Sequence, residues 1–173
     1  MLNIYREAMK MRSMKVVKLL ALCLMVVLSG LSVACDDDDD DDDNGLDDEI
    51  EFNNVALTGA NERPVVATEG AGEMDVVYDD VNNTLNYTIT WQLGNPDDAT
   101  TAMHFHGPAD PNSSAPPVID IEEGFNQGSS GTISGSTRQL TENEEDDLEA
   151  GLWYVNIHST TYPAGELRGN LIP

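Results

Sequence analysis

The chain has 173 residues, room for one domain with tails, and its 8 basic against 32 acidic residues give a formal net charge of −24. That balance excludes ordinary nucleic-acid binding, which needs cations to neutralise phosphates. Two cysteines exclude a disulfide framework and a thiolate zinc site.

Arg6, Lys10, Arg12, Lys15 and Lys18 precede an unbroken apolar run from Leu19 to Leu28, which small residues follow up to Cys35. A charged start, a short apolar stretch and a small-residue zone spell a signal peptide over 1–34. The run is too short for a membrane span, which takes about 20 residues. Met14 is an alternative start, because Met14-Lys15-Val16-Val17-Lys18 by itself makes a charged region. Ala34-Cys35 then resembles the lipobox of bacterial lipoproteins, although Ser32 stands where leucine is usual. On that resemblance Cys35 carries the lipid, and the mature chain is held in the bacterial cell envelope. An ordinary secretory signal with an incidental cysteine is the other reading.

Residues 1–35 hold five of the basic residues and one acidic residue, Glu7, which leaves 3 basic and 31 acidic residues for 36–173. Asp36 to Asp43 is a run of aspartates, and 36–51 carries 12 carboxylates. Like charges this dense repel one another and cannot pack, so 35–51 is expected to be a lipidated, solvated tether. An acidic run after the lipidated cysteine also resembles the surface-export signals of some Bacteroidetes lipoproteins, which would place the protein on the outer-membrane surface.

From 52 to 173 period-2 patterning dominates. Val55–Thr58 opens as a strand. Gly72, Met74, Val76 and Tyr78 share one face of a second, and Leu85 to Gln92 alternates apolar and polar residues as a third. The turn residues Asp79 to Thr84 make these two a hairpin. Thr101–His106, Val118–Ile121, Gly131–Thr137, Trp153–His158 and Glu166–Leu171 complete the set. One short helix follows the capping box Thr141-x-x-Glu144, with Leu148 as its apolar contact and Gly151 at its end. The expected fold is all-β, a Greek-key antiparallel sandwich of about eight strands with one short helix.

Four blocks resemble the CHRD domain, a module named for its repeats in chordin and also found singly in microbial secreted proteins. They are Leu57-Thr58-Gly59-Ala60-Asn61-Glu62 with Pro64, Ala102 to Ala109 around His104-Phe105-His106-Gly107-Pro108, Gly131-Thr132-Ile133, and Trp153 to Asn170. Val65 stands where the family often has a second proline. The resemblance implies an extracellular β-sandwich over 52–173 and names no activity.

All three histidines fall in these blocks. His104 and His106 share a strand face by periodicity, and a His-x-His pair on a strand is a divalent-metal chelate in the making. The arrangement resembles the strand histidines of Cu/Zn superoxide dismutases, but the other ligands of those enzymes have no counterpart here. A structural use, with imidazoles bonded to loop backbone or to Asn156, is the alternative. Asn156, Glu166 and Arg168 are expected to form a structural polar cluster, with Arg168 paired to a carboxylate and Glu62-Arg63 a similar pair. Asp97-Asp98 and Asp110-Pro111-Asn112 carry calcium-type ligands without EF-hand spacing. No nucleophile, base or catalytic-carboxylate pattern stands out. Two functions are therefore expected. The first is a non-enzymatic envelope or cell-surface lipoprotein that binds an extracellular protein or glycan. The second is a small copper- or zinc-binding protein using His104, His106 and His158.

Overall fold

The computed structural model describes residues 50–121, 124 and 126–173. The expected signal peptide, Cys35 and nearly all of the tether lie outside these residues. Among those described no helix is long and apolar enough to cross a membrane.

Eight strands form: β1 (Ile50–Thr58), β2 (Ala71–Asp79), β3 (Thr84–Gln92), β4 (Thr100–His106), β5 (Pro117–Asp120), β6 (Ser130–Ser136), β7 (Trp153–Ser159) and β8 (Leu167–Leu171). The one α-helix among the described residues, α1, spans Glu142–Glu149. All pairings are antiparallel, in the order β5-β4-β7-β8-β1-β2-β3-β6. The sandwich is therefore one curled sheet. A leaf of β5-β4-β7-β8 joins a leaf of β1-β2-β3-β6 along a seam where only Thr58 and Arg168 pair in register.

The two leaves enclose the core because their inward positions are apolar. Met74, Val76, Leu85, Ile89 and Trp91 from one leaf meet Met103, Phe105, Trp153, Val155 and Ile157 from the other, all buried. Tyr87 and Phe105 touch edge to face across the gap, centroids 5.6 Å apart. Gly169 lets β8 close on β1 and β2, since a Cβ there would lie 2.9 Å from Leu57 and from Met74. The first strand starts earlier than the pattern from Val55 indicates. A bulge between Phe52 and Val55, with Asn54 at φ 55°, interrupts the alternation, and Asn54 N–H donates to Asp75 Oδ1 at 2.8 Å.

Helix α1 begins as expected. Glu144 N–H donates to Thr141 Oγ1 and Thr141 N–H to Glu144 Oε2, both halves of the capping box. Leu148 is buried, and Gly151 takes the left-handed conformation just past the helix at φ 70°.

Candidate metal centre

In β7 Val155 and Ile157 face the core, so Tyr154, Asn156 and His158 lie on the opposite side. Register sets them against β4: Ala102 opposes His158, His104 opposes Asn156, and His106 opposes Tyr154. Arg168 of β8 opposes Asn156 on the other side. This outer face would ordinarily be wet. Instead Tyr154, Asn156, Arg168 and His106 are all buried.

The loops on either side supply the cover. Arg168 donates to the carbonyls of Ser113 at 2.7 Å and Asp110 at 3.3 Å, and its guanidinium lies 3.6 Å above the Tyr154 ring. Tyr154 exchanges hydrogen bonds with the backbone of Ala115, and Asn61 Nδ2 donates to the Arg168 carbonyl. Asn156 Nδ2 donates to Glu62 Oε2 at 3.1 Å. Burial pushes the Glu62 carboxyl up to about 7, against the opposing pull of Arg168 and Asn156.

The ion-pair expectations are corrected here. Among the described residues the one Arg–carboxylate pair is Arg138–Glu144, and Arg168 is held by carbonyls, Asn170 and an aromatic face. The geometry of the loop decides this, because two backbone carbonyls reach the planar fork before any carboxylate does. Glu166 accepts from Thr68 Oγ1 and the Gly94 N–H, away from Asn156 and Arg168. Arg63 caps the carbonyls of Ala60 and Glu62, leaving the Glu62 carboxylate to Asn156. The other acidic positions are used locally: Asp110 ties its own turn through Asn112 and Ser113, and Asp98 accepts from Thr160 and Thr161.

The three histidines converge. One ring nitrogen from each lies within 4.8 Å of the others, and His104 Nδ1 is 3.1 Å from His158 Nε2. Nitrogens bound tetrahedrally at about 2.0–2.1 Å would be about 3.3 Å apart, so the nearer pair already has ligand spacing and the third closes by about 1–1.5 Å of ring movement.

Backbone carbonyls set two of the tautomers. His106 Nδ1 lies 2.9 Å from the Ala115 carbonyl, and His158 Nδ1 lies 3.0 Å from that of Pro163. A carbonyl only accepts, so both rings carry their proton on Nδ1 and keep the Nε2 lone pair. His106 Nε2 is buried with no hydrogen-bond partner. The His106 ring is stacked on Tyr154 at 4.8 Å. Burial, with smaller contributions from His104, His158 and Arg168, holds His106 down at about 4, and burial also lowers His158. A depressed imidazole is neutral at pH 7 and has a lone pair to give.

The backbone contacts that a structural use would require are therefore present, and they occupy Nδ1 alone in both rings. His106 is buried and His104 is half-buried, so the cluster reaches solvent on the His104 side.

The profile of the CHRD domain matches residues 54–171. The chain belongs to the CHRD domain family. No curated protein and no solved structure matches it.

The CHRD blocks thus account for the site. One brings His104 and His106 on β4, and the block from Trp153 brings Tyr154, Asn156 and His158 on β7 with Arg168 on β8. Between them the Pro163-Ala164-Gly165 turn presents the carbonyl that fixes His158. Gly165 has φ 130°, and a Cβ there would collide with the Asn156 amide. Sequence reasoning missed Ala115, Tyr154 and Asp120 as neighbours of the histidines, and Glu62 as the partner of Asn156. Tyr154 had a signal, the period-2 alternation with Asn156 and His158. The others arrive through loops and a four-residue strand whose pairing the sequence does not print.

Proposed function

We propose that this protein is an exported, non-enzymatic lipoprotein of the bacterial cell envelope, anchored through Cys35, whose CHRD domain binds one copper or zinc ion through His104, His106 and His158. The observation that carries the metal reading is the convergence of three imidazoles, two with Nε2 lone pairs fixed by carbonyls behind them. An all-nitrogen set suits Cu(II) and Zn(II), with Cu(II) the tighter. Three protein ligands leave a fourth position on the half-exposed side for water or another small ligand. The anchoring rests on the Ala34-Cys35 segment and the acidic tether, which would hold the domain away from an anionic bilayer.

Titration of Cu(II) or Zn(II) into the purified chain tests the site. One equivalent should bind the unaltered protein tightly, and His104→Ala/His106→Ala should lose that equivalent. Equal, weak uptake by both would assign the metal to surface carboxylates and return the domain to a binder of protein or glycan. Cys35→Ser should abolish membrane partitioning, because stable anchoring needs the acyl chains. Unchanged partitioning would remove the anchor.

A further inference from the structure

We infer that Asp120 is a positioning residue of the metal site, favouring in His104 the tautomer whose Nδ1 lone pair can meet the ion. The inference rests on the metal reading above and adds a residue that no strand pattern marked. Asp120 lies on β5 directly opposite His104 in the register, and its Oδ1 is 3.6 Å from His104 Nε2. His104 differs from its two companions. Their Nδ1 atoms are taken by backbone carbonyls, so they present Nε2. His104 presents Nδ1, 3.1 Å from His158 Nε2, and its Nε2 looks outward at the carboxylate.

The proton count follows from these contacts. His158 carries its proton on Nδ1, so the 3.1 Å contact is made by His104 Nδ1–H donating to His158 Nε2. An ion between the rings needs both of those nitrogens as lone pairs. The His104 proton must then leave Nδ1, and a neutral ring can keep it only on Nε2. The Asp120 carboxylate, 3.6 Å from Nε2 and just beyond hydrogen-bond length, attracts an N–H placed on Nε2 and repels a lone pair there. Asp120 therefore favours the tautomer that binds metal and disfavours the one that bonds to His158. The ion would receive a mixed set, Nδ1 from His104 and Nε2 from His106 and His158, with the Ala115 and Pro163 carbonyls bonded behind two rings and the Asp120 carboxylate facing the third.

Zn(II) binding to the full chain, with 15N spectra of the imidazole nitrogens, tests this. Asp120→Ala should weaken Zn(II) binding about 10- to 100-fold, the usual cost of losing a partner behind a ligating imidazole. Asp120→Asn keeps an acceptor oxygen and should recover part of the loss. Glu73→Gln, an exposed acidic change on β2, should leave the affinity as it is. In the zinc-loaded protein His104 should show a protonated Nε2 and a metal-shifted Nδ1. The Asp120 side chain is 56% exposed, so neither variant threatens folding. If Asp120→Ala binds as tightly as the unaltered chain while His104→Ala/His106→Ala does not bind, the inference fails and the metal site stands. Zinc on His104 Nε2 overturns it too, whatever the affinity. If all of these proteins take up zinc equally, both the inference and the metal site fail.

Discussion

His104 and His158 are separated by 54 residues of chain, yet their ring nitrogens meet at 3.1 Å. The pairing of β4 with β7 brings the two strands together, and each ring has a polar neighbour behind it. The Pro163 carbonyl holds His158 from behind, and the Asp120 carboxylate faces the outer nitrogen of His104. The outward side of this leaf is consequently a layer of polar groups beneath loops.

A ligand that binds only the folded state stabilises it. At a free metal concentration 100 times its dissociation constant, the domain should gain about 2.7 kcal/mol. Thermal unfolding with and without Zn(II) should show the rise, EDTA should reverse it, and His104→Ala/His106→Ala should lack it.

Gly165→Ala should unfold more easily by about 1–3 kcal/mol, because the residue sits at φ 130° and its new methyl meets the Asn156 amide. The same change displaces the turn that carries the Pro163 carbonyl. Metal affinity should therefore fall together with stability, and chemical denaturation with a parallel titration reads both.

Glu62 gives stability a definite pH dependence. Its carboxyl ionises near 4.5 in an open chain and at about 7 when buried, so the folded state holds an extra proton between these values. The benefit is full below pH 4.5 and is lost as pH rises through 7. Glu62→Gln removes that titration while keeping an acceptor for Asn156. Urea denaturation at pH 5 and pH 8 should show the variant gaining on the unaltered protein at the higher pH.

Glu144 behaves in the opposite sense. The bidentate bond from Arg138, at 2.7 and 2.9 Å, holds its carboxyl down at about 2. Its contribution is complete above pH 4.5 and is lost as pH falls through 2. The Arg138 side chain is about half exposed, so solvent screens most of the pair. Glu144→Ala, which also opens the capping box, should cost about 1 kcal/mol at neutral pH.

Arg168→Met should cost about 2 kcal/mol, because it removes the hydrogen bonds that the buried guanidinium donates to the carbonyls of Ser113 and Asp110. Loss of order in residues 110–115 would also loosen Ala115 behind His106. A fall in metal affinity without any change in the histidines is the expected companion in the titration.

The strands were legible because their inward residues alternate. Leu85, Ile89 and Trp91, or Val155 and Ile157, can be buried on one face only, and hydrophobic transfer leaves the chain no other register. The helix was legible for a local reason: Thr141 and Glu144 satisfy each other's backbone within one turn. Periodicity likewise placed His104 with His106 and His158 with Asn156. What period 2 does not carry is which strands become neighbours, since that depends on summed burial across the whole sheet. Only the pairing of β4 with β5 and β7 sets Asp120 and His158 on either side of His104. Only the loop paths put Ala115, Ser113 and Glu62 over the outer face, giving Arg168 carbonyls in place of a carboxylate and driving His106 neutral. Hydrophobic alternation is a one-dimensional property and is written along the chain. The histidine cluster is a meeting of polar groups from five distant segments, and it exists only once the sheet has closed.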